Sequence, residues 1–285
     1  MKYSAILATA LLAASPVFAA SGELKTQARQ ILAAHQDAIV GLSIIAKIDI
    51  GVDGYSGLGV RASGSGDGKD KKIETSGVLV DPAGLIVSSL GSIGGGSMMD
   101  GREIETPKGM VKLKAKLDIK EVKVVMPDGT EIPADVVLKD PDLDLVFFKI
   151  RTDSPEAKDV TFKAVDLKNN TAVEVLDDVV VLGRMDATMN RQPTAFTTEV
   201  NGIVKKPREF LSIPGVRPAS PVFSPEGKLV GLSIMRKGTG AMAAGSSPSV
   251  IPAVLPARDV LKIAEQARTA QPEKAGDATE KAESK

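Results

Sequence analysis

The chain has 285 residues, with 36 Lys and Arg against 36 Asp and Glu, one His, no Cys and no Trp. A balanced charge gives no electrostatic footprint for nucleic acid, and 3% aromatic residues leave no platform for stacking bases or sugars. The absence of Cys excludes a cysteine nucleophile, a thiolate metal site and a thiol redox role. It does not exclude an oxidising compartment, because a domain of this size can bury enough core to stand without disulfides.

Residues 1–19 read as a secretory signal peptide: Lys2, then an apolar run from Ala5 to Ala14, then Val17-Phe18-Ala19 as a small-residue cleavage site. The run is shorter than the ~20 residues of a membrane span, so no stable membrane anchor is expected after cleavage. Export to a bacterial periplasm or the medium follows. Residues 20–36 are expected to hold an N-terminal helix, with Leu24, Ala28, Ile31, Leu32 and His35 roughly on one face.

From there to Ala253 the texture is β. Short Val, Ile and Leu runs alternate with Gly, Pro and Asp turns. Strands are predicted at Ala38–Ile50, Ser76–Val80, Leu85–Ser88, Glu121–Met126, Glu131–Leu138, Leu145–Ile150, Val179–Leu182, Ala195–Val204, Pro221–Phe223 and Leu229–Met235. They divide into two halves, residues 37–155 and 156–268, each long enough to close a small barrel. Gly51–Lys72, Gly91–Gly109 and Lys237–Ser249 read as loops. Pro256–Thr269 reads as a helix with Pro in its first turn, and 269–285 as a disordered Lys/Glu/Ala/Ser-rich tail.

Three segments and a connecting strand carry a resemblance. The first is Ser76-Gly77-Val78-Leu79-Val80-Asp81-Pro82-Ala83-Gly84-Leu85-Ile86-Val87-Ser88-Ser89. The second runs from Val124-Val125-Met126-Pro127-Asp128-Gly129 to Asp140-Pro141-Asp142-Leu143-Asp144-Leu145-Val146. The third is Pro214-Gly215-Val216-Arg217-Pro218-Ala219-Ser220-Pro221-Val222-Phe223, continued by Val250-Ile251-Pro252-Ala253. Between them lies Leu176-Asp177-Asp178-Val179-Val180-Val181-Leu182-Gly183. In order and spacing these resemble trypsin-like serine proteases of the HtrA/Deg type, over about residues 37–268. The resemblance implies an all-β chymotrypsin-like fold of two antiparallel six-stranded barrels, flanked here by the two helices, with a cleft between the barrels.

A serine protease triad divides its work among a nucleophile, a base and a carboxylate that orients the base. Carried over, the base, carboxylate and nucleophile positions fall on Gly91, Asp144 and Pro218. Only the carboxylate is present. Gly91 accepts no proton. Pro218 has neither a hydroxyl nor a backbone N–H, and in this family the nucleophile's N–H is half of the oxyanion hole. The nearest hydroxyl, Ser220, lies two residues further on, and using it breaks the fit of Gly227 and Gly231. The single imidazole, His35, is expected to be a helix-face residue. Asp144 is left needing other hydrogen-bond partners.

The resulting expectation is a pseudoprotease that binds a polypeptide or protein partner in or near the cleft, where proteases of this fold hold substrate as an added strand. By resemblance the strand edge is Leu232–Arg236, with Ser233, Ile234 and Met235 in it. The first specificity pocket starts near Ser212, and Arg217 stands at the cleft mouth, facing solvent, Asp144 or a ligand carboxylate. Two alternatives are an active endopeptidase using Ser220, and a structural envelope protein whose cleft is closed. With only a short tail after the helix at 256–269, the peptide-binding domain that usually follows in this family is not expected. No cofactor is expected. The Asp140, Asp142, Asp144 run lacks the Gly and Glu of a calcium loop, so no metal is expected either.

Overall fold

The computed structural model describes residues 17–52, 69–94, 96–106, 109–238, 242–243 and 250–272. The first sixteen residues of the expected leader, most of the Gly51–Lys72 and Lys237–Ser249 loops and the tail from 273 lie outside them. Helix α1 (Val17–His35) starts inside the segment read as leader and passes through a 3-10 turn, Gln36–Ala38, into the first strand.

The first half is built from β1 (Ile39–Val52), β2 (Asp70–Asp81), β3 (Leu85–Ser89), β4 (Glu103–Thr106), β5 (Gly109–Val125), β6 (Glu131–Asp140) and β7 (Leu145–Ile150). Six of these follow one another as β1-β2-β3-β7-β6-β5, and β1 also pairs with β5, which closes the barrel. The seam is long, from Gly41↔Val125 to Val52↔Leu113, with a bulge between Ile45 and Ala46. Period-two alternation explains it: Leu42, Ile44, Ala46 and Ile48 are all buried. On β7, Phe147 and Phe148 are both fully buried, so each aromatic is worth about 3–5 kcal/mol against truncation to Ala.

The second half contains β8 (Asp178–Arg184), β9 (Pro193–Glu199), β10 (Gly202–Val204), β11 (Phe210–Ser212), β12 (Pro221–Phe223), β13 (Leu229–Lys237), β14 (Met242–Ala243) and β15 (Val250–Pro256). Seven of them form a curled sheet in the order β10-β11-β15-β13-β12-β8-β9, a half-barrel and not a second closed six-stranded barrel. Among the described residues its end strands β10 and β9 do not pair with each other. The expected strand Ala195–Val204 is broken at Val200 and Asn201, where Val200 N–H turns to Asp177 O at 3.0 Å and Asn201 N–H to Ser212 O at 3.0 Å. β14 crosses to pair in parallel with β4 of the first half.

Both faces of the sheet's central strands are buried. On β8, Val180 and Leu182 join the large core shared with the first half, while Val179 and Val181 face a second cluster with Val222, Val230 and Val254. Gly231 on β13 is fixed by packing: a Cβ there would stand 2.2 Å from Leu255 O. Helix α3 (Ala257–Thr269) closes the chain on Val260, Ala264 and Ala267, an i, i+4, i+7 stripe. The expected loop at Gly91–Gly109 holds a short helix, α2 (Gly96–Met99), as well as β4.

Candidate functional site

The turn between β6 and β7 puts Asp144 in the left-handed region, φ 58°, with 3% of its surface exposed. Three donors converge on its carboxylate. Ser89 Oγ donates to Oδ2 at 2.5 Å, Met235 N–H to Oδ2 at 2.7 Å, and Gly91 N–H to Oδ1 at 2.6 Å. Its own carbonyl accepts Leu90 N–H at 2.8 Å. Burial pushes the carboxyl up to about 6. The bonds from Ser89, Met235 and Gly91, and the nearby charge of Arg236, pull the other way without cancelling it. Since Met235 belongs to β13, this carboxylate bridges the two halves.

The space beside Gly91 is taken. A Cβ built there would meet the Met98 methyl at 2.4 Å, Asp144 Oδ1 at 3.0 Å and Met235 Cβ at 3.3 Å. Met98 is buried, 4% exposed. So the space beside Gly91, the position expected for the base, holds a thioether from α2, a residue that sequence spacing gave no reason to place there. His35 is far from this use: it stacks on Phe223 with ring centroids 4.7 Å apart, and burial lowers its pKa.

The loop carrying Pro218 is latched to β13 through one residue. The buried Ser233 donates its hydroxyl to Arg217 O and accepts Ser220 N–H at 2.9 Å. Its backbone N–H goes to Ser220 O at 2.9 Å, and its carbonyl takes Ala219 N–H at 2.8 Å. Ala219 sits at φ 61°, a strained value for a side chain with a Cβ. Met235, which caps Asp144, lies two residues along the same strand, roughly 7 Å away. Gly91, Asp144 and the Pro218 loop are thus tied to one stretch of β13. Along it, the N–H groups of Ser233 and Met235 are both engaged within the chain. Ile234 is fully buried.

Two cavities open beside Pro218. One, about 230 Å³, is lined by Thr75, Ser76, Ser92, Arg184, Arg191 and Arg217, with Glu74 and Asp186 on its wall. The other, about 410 Å³, is lined by Ile39, Leu182, Met185, Phe196, Gly215 and Ser220. Ser76, Arg184, Met185, Arg217 and Pro218 line both. Arg184 is anchored by three carbonyls: Nε to Ile39 O at 2.6 Å, Nη1 to Arg191 O at 2.8 Å and Nη2 to Gln36 O at 2.7 Å. Burial pushes its guanidinium below the usual arginine value. Arg217 is exposed, and the acid whose charge it influences is Asp186, not Asp144. The arginine wall was not legible in the sequence, because Arg184 and Arg217 meet only through the sheet.

Ser212, expected near a specificity pocket, is an exposed residue at the end of β11, outside both cavities, where it pairs with Gly202. Of the calcium-like aspartates, Asp140 caps Leu143 N–H at 2.9 Å instead of facing Asp144. Among the described residues no three His, Asp or Glu side chains are grouped to hold a metal ion.

A closed six-stranded barrel, a curled sheet latched to it through a buried aspartate, and a nucleophile-type loop ahead of a Gly turn define a chymotrypsin-like protein. The model of the trypsin-like peptidase domain matches residues 75–232, more than half of the chain, and the chain belongs to that family. Among solved structures, the crystal structure of the MamO protease domain from Magnetospirillum magneticum, in its apo form, is similar. Its TM-score is 0.45 at 18% identity, covering 81% of this chain and 97% of that one. No curated protein matches.

Proposed function

We propose that this trypsin-like domain is an exported, catalytically inactive member of the HtrA type that binds a polypeptide or protein partner in or near the cleft between its halves. The observation that carries the reading is the packing at Gly91, where Met98 fills the base's ground and Asp144 spends its acceptors on Ser89, Gly91 and Met235. At Pro218 the chain lacks a nucleophile and an oxyanion donor together, and losing one such donor alone costs about 10²–10³ in rate. Export rests on the leader-like run at residues 1–19. Binding is supported by the two cavities around Pro218, which leave room for a ligand.

The test uses the mature protein with an unfolded casein substrate and a fluorophosphonate probe, beside Ser220→Ala. The expected result is no cleavage and no labelling in either. Ser220 lines the larger cavity, so labelling that disappears in Ser220→Ala would restore the active endopeptidase and overturn the proposal.

A further inference from the structure

Arg184 and Arg217 carry charges that the mechanism above does not use. An arginine presents five N–H donors. Arg184 commits three of them to carbonyl oxygens, and it feels the charge of Asp37 without forming an ion pair with a carboxylate among the described residues. It therefore brings a half-buried positive charge, and two further N–H groups, to the wall shared by both cavities. Arg217 adds an exposed guanidinium at the same wall. It is held extended by the proline that follows it, on a loop pinned by Ser233. Of the two acids nearby, Glu74 is paired, while Asp186 keeps its charge and feels that of Arg217. Glu74 pairs with Arg191 at 3.2 Å and Lys72 at 3.4 Å, and Asp186 accepts Thr188 N–H at 3.0 Å.

The adjoining cavity has the opposite character. Ile39 and Leu182 form its floor, while Met185 and Phe196 remain 38% and 39% exposed at its rim. Phe196 lies over Gly215, where a Cβ would stand 3.3 Å from the ring. Large apolar side chains left half open beside a cationic wall describe a receptor for something that is apolar and anionic at once.

We infer that these two cavities receive the carboxyl end of a polypeptide whose last residue is apolar. Arg217, backed by Arg184, takes the terminal carboxylate, and the pocket between Phe196, Met185 and Leu182 takes the last side chain. Guanidinium recognises carboxylate through paired, charge-assisted hydrogen bonds, which a terminal amide cannot return. The inference rests on the partner-binding reading and names its ligand.

The test is fluorescence anisotropy with the whole mature protein and a fluorescein-labelled hexapeptide of glycine and serine ending in leucine. It is offered as the free acid, as the C-terminal amide, and with serine replacing the last leucine. The free acid is expected to bind about tenfold or more tighter than the amide, and the serine-ended acid to bind more weakly than the leucine-ended one. Arg217→Gln should lose the preference for acid over amide with an unchanged melting curve, and Phe196→Ser the preference for leucine. Equal binding of acid and amide would overturn the carboxylate site while leaving partner binding intact. Binding of neither form overturns the inference as well. Hydrolysis of the peptide would instead overturn the inactive reading on which it rests.

Discussion

The Asp144 pocket and the arginine-lined cavities flank the same loop, and their polar groups are used in opposite ways. Around Asp144 every donor has an acceptor inside the chain, and the gap beside Gly91 is plugged by Met98. Beyond Pro218, Arg184 and Arg217 keep N–H groups in excess, next to apolar side chains left half exposed. One region has become a joint between the two halves. The other leaves polar and apolar groups facing open cavities. A substitution in the joint should therefore change stability, and one in the cavities should change ligand affinity with stability nearly constant.

The largest effect is expected from Asp144→Leu. It removes the acceptor of three donors, one buried and two partly buried, each worth about 1–3 kcal/mol when stranded, and places leucine at φ 58°, a left-handed conformation that aspartate tolerates better. A loss of roughly 4 kcal/mol at pH 5 should appear as a lower urea midpoint with unchanged slope. Arg217→Gln, in the other region, should stay within about 0.5 kcal/mol. If Asp144→Leu were equally mild, the carboxylate would not be the joint described.

The second effect is on pH dependence. Asp144 is raised to about 6 in the folded protein, above its ordinary 3.8. Its protonated form is therefore favoured by folding. The stability this gives is complete below pH 3.8 and is lost as pH rises through about 6. The full swing is about 3 kcal/mol. Asp144→Asn keeps the shape and removes the titration, so the advantage of the native protein over it should shrink by most of that amount between pH 4 and 7. A constant difference across the range would mean that the three donors hold the carboxylate charged. Asp81 and Asp186 shift downward and act oppositely, so the comparison with Asp144→Asn is what isolates this group.

A third prediction concerns rebuilding. Gly91→His with Pro218→Ser restores two missing groups, yet the imidazole must displace Met98 from its buried place, at about 1–3 kcal/mol. The double variant should be destabilised and remain unlabelled by fluorophosphonate. Adding Met98→Ala should recover stability, which measures how tightly Met98 fills the space beside Gly91.

Much of the joint was legible and most of the cavity was not, for a physical reason. The barrel strands alternate with period two, and Asp144 stands in a turn with its own short-range pattern, so local sequence places them. The break in the expected strand Ala195–Val204 was missed because it is made by contacts of Val200 and Asn201 with Asp177 and Ser212, which lie elsewhere in the chain. The reach of β5 back to Gly109 was missed although Val111, Leu113, Ala115 and Leu117 alternate with charged residues, because the glycines before it read as one long loop. Met98 and Arg184 act through contacts with residues far away in the chain, and no spacing announces those.

The smallest effect separates charge from scaffold inside the cavity. Arg191 pairs with Glu74 across a partly exposed gap of 3.2 Å, and such pairs are worth about 0–1 kcal/mol. What holds Arg184 is the backbone carbonyl of Arg191, accepting Nη1 at 2.8 Å, and not its side chain. Glu74→Gln should therefore leave the melting temperature within a degree or so. It also removes a negative charge from the wall that a ligand carboxylate must approach, so the leucine-ended acid should bind about two- to threefold tighter and the amide no differently. Arg191→Gln should do the reverse, by freeing Glu74 to repel the same carboxylate. If both substitutions shift the acid and the amide alike, the wall responds to shape and not to charge, and Arg217 and Arg184 are structural after all.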